Sequence, residues 1–100
     1  MEATNYNVTF KLPDFPDETF WSLIPEHRAY INKLMNKGVI LTYSVDSERS
    51  KGWIIMKATS QEQIIAYLRR SPLYKYWEVE IDELLFFNNA ANILPVLSLN

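Results

Sequence analysis

The only histidine of this 100-residue chain, His27, sits where an imidazole can be put to chemical use. It follows Phe20 by seven residues and Ile24 by three, and it precedes Ile31 by four. Those spacings place the four side chains on one face of a helix, so the imidazole points at whatever the helix packs against. Two roles fit such a residue. It can be a core histidine bonded to a carbonyl or a tyrosine. It can instead be a base in a cleft between helix and sheet, where small environmental shifts carry an imidazole across neutral pH. A base normally has an orienting carboxylate, and Asp46, Glu78, Glu80 and Asp82 are candidates because they lie on or beside predicted strands.

Around His27 the sequence offers aromatic and cationic groups for a ligand. Tyr30, Tyr43, Trp53, Tyr76 and Trp77 can line a pocket for a flat organic molecule, although aromatic residues at buried spacings also build cores and interfaces. Arg49 and Lys51 can meet an anionic group, arginine bidentately. The same loop also carries Asp46 and Glu48 and reads equally as a solvated turn. Glu26 and Arg28 flank His27 as ordinary surface charges. The resulting candidate site is His27 as the catalytic group, with Tyr30, Tyr43, Arg49, Trp53 and Tyr76 toward a small-molecule substrate.

Composition excludes much else. With no cysteine there are no disulfides, iron–sulfur clusters, thiolate zinc sites or cysteine nucleophiles, and one histidine leaves a metal site short of its usual ligands. Neither a metal nor a cofactor is expected. Ten basic residues against twelve acidic ones give a net charge of -2, which argues against a nucleic-acid binder. The stretch Lys51-Gly52-Trp53 opens like the third-strand motif of RNA-recognition domains, but Ile55 and Ala58 stand where further stacking aromatics belong. No phosphate loop, dinucleotide fingerprint or nucleophile elbow occurs.

The elements that must position these residues follow from periodicity. Tyr6, Val8, Phe10 and Leu12 alternate with polar residues as a strand with one buried face, which Pro13 and Pro16 stop. Asp17 is the expected N-cap of a helical region running to Lys37. Pro25 predicts a kink there, or a short turn followed by a longer helix, and Gly38 is the expected C-terminal cap. Val39 to Val45 and Trp53 to Thr59 read as a hairpin, rich in β-branched and aromatic residues. Ser60 and Gln63 resemble a capping box opening a second helix, with Ile64, Ile65 and Leu68 inward and Pro72 as its end. Trp77 to Asp82 alternates as a fourth strand. The order β-α-β-β-α-β is the ferredoxin-like α+β arrangement, a four-stranded antiparallel sheet with two helices on one face.

Two helices cover only one face of such a sheet. Strict alternation puts Val39, Leu41, Tyr43 and Val45 on one side and Ile40 on the other, while Trp53 and Ile55 oppose Ile54, Met56 and Ala58. Both faces then carry large apolar groups, and the segment 88–100 is too apolar for a solvated tail. The expectation is one domain over residues 1–87 in a homodimer or higher homo-oligomer, sheet against sheet, with the tail packed on the partner subunit. The N-terminus has neither a basic n-region nor an apolar h-region, and no stretch reaches the length of a membrane span. The expected location is the cytoplasm, with no membrane partner.

The segment 71–84 resembles the muconolactone isomerase-like family, whose second helix ends in Pro-Leu and runs into the last strand as Tyr-x-x-x-Glu-x-x-x-Leu. Pro72, Leu73, Tyr76, Glu80 and Leu84 fill that pattern. The stretch His27-Arg28-Ala29-Tyr30 is similar to the first helix of the related YCII-like domains, in which a histidine occupies the site. The resemblance implies a dimeric α+β barrel without a cofactor and with a ligand cleft between sheet and helices. It further implies a cofactor-independent isomerase that shifts a proton on an unsaturated lactone or related metabolite, with His27 as the base. The other reading is a non-catalytic dimeric domain for ligand binding or assembly.

Overall fold

Strand-forming and helix-forming segments alternate along the chain as their periodicities predict. The computed structural model describes residues 2–90. The elements are β1 (Thr4–Lys11), α1 (Glu18–Ser22), α2 (Ile24–Asn36), β2 (Ile40–Val45), β3 (Lys51–Ala58), α3 (Gln61–Leu68) and β4 (Glu78–Glu83), with a 3₁₀ turn at Tyr74–Tyr76 before the last strand. The sheet is antiparallel with strand order β2-β3-β1-β4, the ferredoxin-like α+β fold. It carries three helices rather than two, because the first helical region divides at Leu23. Pro25 then falls in the first turn of α2, where its missing N–H costs nothing. The apolar tail lies outside the described residues from position 91 on.

Local chemistry fixes the helix ends. Asp17 Oδ1 accepts the Phe20 N–H at 2.9 Å and caps α1. At the end of α2, Gly38 has φ +76 and its N–H bonds the Met35 carbonyl, while the Val39 N–H bonds that of Leu34. This is a Schellman motif, and glycine enters the left-handed region cheaply. Ser60 Oγ accepts the Gln63 N–H, and the Gln63 side chain accepts the Thr59 N–H, one residue further back than in the usual reciprocal box.

The core lies between the helices and one face of the sheet. Val8, Phe10, Ile54, Met56 and Ile64 are fully buried there, with Leu34 and Leu68 from the helices. Register puts Val79 and Ile81 of β4 opposite Phe10 and Val8, which turns Glu78, Glu80 and Asp82 to the uncovered face. That face also carries Asn7, Thr9, Trp53 and Ile55. No helix among the described residues is long and apolar enough to cross a membrane.

One irregularity overturns the strict alternation expected of β2. Ile40 pairs with Met56 but Thr42 pairs with Ile55, so the register shifts at Leu41. Such a β-bulge sets two residues of one strand against one of its neighbour and reverses the facing of all that follows. Ile40 and Tyr43 therefore both turn toward the helices, opposite Met56 and Ile54. Large apolar groups on the uncovered face of the hairpin strands reduce chiefly to Trp53 and Ile55.

Candidate active site

His27 lies in the second turn of α2 and is 3% exposed. Its Nδ1 is 2.6 Å from Ser71 Oγ and its Nε2 is 2.9 Å from Tyr43 Oη. The ring meets Trp77 edge-on, with centroids 5.3 Å apart. Three elements converge on this one imidazole. The helix supplies it, the bulged strand supplies Tyr43, and the turn after α3 supplies Ser71. Ser71 Oγ also accepts the Leu73 N–H at 3.1 Å, which fixes its position.

The electrostatics follow from burial. Desolvation lowers the His27 pKa from 6.5 to about 4, so the ring is neutral at physiological pH. Burial raises the Tyr43 phenol to about 12, against a smaller opposing pull from Arg28, so Tyr43 keeps its proton. Among the described residues no carboxylate bonds His27. Glu78, Glu80 and Asp82 sit on the far face of the sheet, and Asp46 is committed to the β2–β3 loop. There its carboxylate accepts the Ser50 N–H and hydroxyl and the Lys51 N–H, which hold its pKa below the usual carboxylate value.

A cleft of about 810 Å³ opens beside this cluster. Its walls are largely apolar, with Leu12, Phe20, Ile24, Val45, Leu73 and Trp77, and His27 and Tyr43 line it too. Trp77 stacks on Phe10 at 4.1 Å, and Phe10 lies 5.9 Å from Tyr43. Arg28, Arg49, Asp14 and Glu48 add charges of both signs. Arg49 stands in the left-handed region at φ +58, after a turn closed by the bond from its N–H to the Asp46 carbonyl. Its guanidinium lies 6.0 Å from the centre of the Trp21 ring. The β2–β3 loop and α1 thus meet across this cleft.

Of the candidate residues, the structure brings together His27, Tyr43 and Arg49. Tyr30 lies elsewhere, its hydroxyl donating to the Tyr67 carbonyl at 2.6 Å and tying α2 to α3. Tyr76 packs edge-on against Phe20 outside the cleft. Trp53 is on the uncovered face, since it pairs with Thr9 between the inward-facing Gly52 and Ile54. Lys51 lies 5.7 Å from its ring. Sequence reasoning missed Ser71 as the second partner of His27. A buried imidazole needs a partner at each nitrogen, and that requirement was the available signal. Among the described residues no group of His, Cys, Asp and Glu could hold a metal ion.

No family model matches this sequence, and no curated protein does. Among solved structures, a crystal structure of muconolactone isomerase superposes with a TM-score of 0.68 at 20% sequence identity, covering 83% of this chain and 90% of that one. Extensive overlap at low identity establishes architecture. The chain has the muconolactone isomerase-like fold, with the His27 cluster at the inner end of a cleft between its helices and its sheet.

Proposed function

We propose that this protein is a cofactor-independent small-molecule enzyme of the cytoplasm that shifts a proton on an unsaturated lactone or related metabolite. The observation that carries the reading is the cleft itself. Its apolar walls can desolvate a small organic ligand, and a neutral His27–Tyr43 pair is the polar contact at its inner end. Arg28 and Arg49 also line it and suit an anionic substituent. A proton shift between carbons needs only positioned donors and acceptors, with no metal or redox group. A second reading, a non-catalytic ligand-binding domain, is favoured by the lack of a carboxylate bonded to His27 among the described residues.

α-Angelica lactone separates the readings, because moving one proton converts it to its conjugated isomer. Trp21 and Trp77 line the cleft, so binding should quench tryptophan fluorescence saturably. Proton NMR in deuterated buffer should show faster isomerisation with the protein than without it. Tyr43→Phe should slow that reaction about 100-fold while weakening binding less than about tenfold, the pattern of a group that acts mainly in the transition state. Saturable binding without acceleration would select the non-catalytic reading. Failure to bind would remove unsaturated lactones as the ligand class.

The reading includes a homodimer formed through the uncovered sheet face, where Trp53 and Ile55 form an apolar strip. Light scattering on the full chain should return twice the chain mass. A monomer at micromolar concentration would overturn the dimer and leave the cleft untouched.

A further inference from the structure

The hydrogen bonds around His27 can be counted proton by proton, and the count has a direction. Ser71 Oγ has two partners among the described residues, the Leu73 N–H and His27 Nδ1. A serine hydroxyl has one proton to give and two lone pairs to receive. If Nδ1 carried the imidazole proton, Ser71 would accept both bonds and its own O–H would be left without an acceptor at a site 5% exposed. An unsatisfied buried donor costs about 1–3 kcal/mol. If Nε2 carries the proton instead, the Ser71 O–H donates to Nδ1, and Nε2–H donates to Tyr43 Oη. The one hydroxyl proton then left over belongs to Tyr43, which is only half-buried and lines the cleft.

We infer that Ser71, His27 and Tyr43 form a one-way chain of donors ending in the cleft, and that Tyr43 O–H is a hydrogen-bond donor for a carbonyl or enolate oxygen of the ligand. Chains of this kind polarise their members, so a neutral imidazole behind the phenol strengthens its donation. The low basicity of the buried His27 and the retained proton of Tyr43 agree with that polarity. A cleft-lining donor in want of an acceptor describes a site for ligand oxygen. On this assignment His27 is a positioning residue for Tyr43, and the proton leaving carbon passes to a cleft carboxylate, Asp14 or Glu48, which returns it at the second carbon. The inference deepens the proposed function and rests on its reading of the cleft.

Because the chain has a single histidine, nitrogen-15 NMR of the full protein without ligand reads the tautomer directly. Nε2 should resonate in the protonated range and Nδ1 in the unprotonated range. The reverse pattern would overturn the donor chain whatever the protein binds. Ser71→Ala should reduce the Nε2–H preference by removing the donor at Nδ1, and an unchanged preference in that variant would also count against the chain. With α-angelica lactone bound, its carbonyl stretch in infrared difference spectra should move to lower frequency, and Tyr43→Phe should reverse most of that shift. A bound lactone whose carbonyl is unshifted would overturn the inference. A lactone that does not bind would instead remove the lactone reading, leaving the tautomer result to decide the chain.

Discussion

His27→Ala should destabilise the protein by about 2–4 kcal/mol, a large part of the roughly 5–15 kcal/mol that holds a domain of this size together. The loss has two sources. A cavity opens between α2 and the sheet beside Trp77, and the buried Ser71 hydroxyl loses its imidazole partner. The substitution should also change how stability depends on pH. In the native protein the His27 pKa is lowered from 6.5 to about 4 by burial, so between those values the unfolded chain binds more protons than the folded one. Stability attributable to this group is therefore complete above pH 6.5 and is lost as the pH falls toward 4, by at most about 3 kcal/mol. Urea unfolding of both proteins at several pH values checks both effects. The native protein should show this acid-side slope and the variant should lack it; parallel curves would show that His27 titrates as freely in the folded state as in the unfolded one.

Gly52→Ala should be at least as damaging, by about 3 kcal/mol or more, although it adds one methyl group. A Cβ at Gly52 would run into the tip of the Phe10 ring and approach the Ser44 carbonyl oxygen to 2.5 Å. The carbonyl belongs to backbone and cannot swing away. Phe10 cannot easily retreat either, being fully buried and stacked on Trp77 at 4.1 Å. Any shift it makes passes to Trp77 and Tyr43, so the cleft should deform along with the core. Loss of near-ultraviolet circular dichroism and a lower urea midpoint are the expected signatures. A midpoint within about 1 kcal/mol of the native protein would show that the Phe10 stack has room to move.

Much of the fold is legible in the sequence because its signals are local. The alternation from Tyr6 to Phe10, the caps at Asp17 and Ser60, and Gly38 after α2 each act over a few residues, and each meets the structure near the expected position. The stripe through Phe20, Ile24 and Ile31 likewise turned His27 inward, because helical geometry alone decides which side chains share a face. Strand boundaries moved by one or two residues, and α3 ends at Leu68, short of the Pro72 expected to close it. The 3₁₀ turn at Tyr74–Tyr76 was hidden by a segment with no clear period.

The site was legible only in part. Position 43 was a reasonable choice for an aromatic residue in a pocket, yet alternation counted from Val39 set it opposite Ile40. The bulge at Leu41 reverses that, and nothing in its immediate neighbours announces it, since a bulge answers to how two strands pair. Trp53 failed to join the cleft for a related reason. Its neighbours Gly52 and Ile54 take the helix-covered face, Gly52 because the Phe10 ring occupies the space of a side chain there. Tyr30 and Tyr76 were drawn into packing between elements, where an aromatic side chain is just as well used.

Sequence by itself determined the order and type of the elements, the inward direction of His27 and the exclusion of thiolate chemistry, all of which follow from residue type and short-range spacing. Tertiary structure decided which groups meet His27. Ser71 is 44 residues from it along the chain and Tyr43 is 16, and only the closing of the sheet against α2 brings both within hydrogen-bond distance. Burial then sets the chemistry. The same imidazole that titrates near neutrality in water is held neutral here, because burial strips it of solvent, and its partners among the described residues are two hydroxyls rather than a carboxylate.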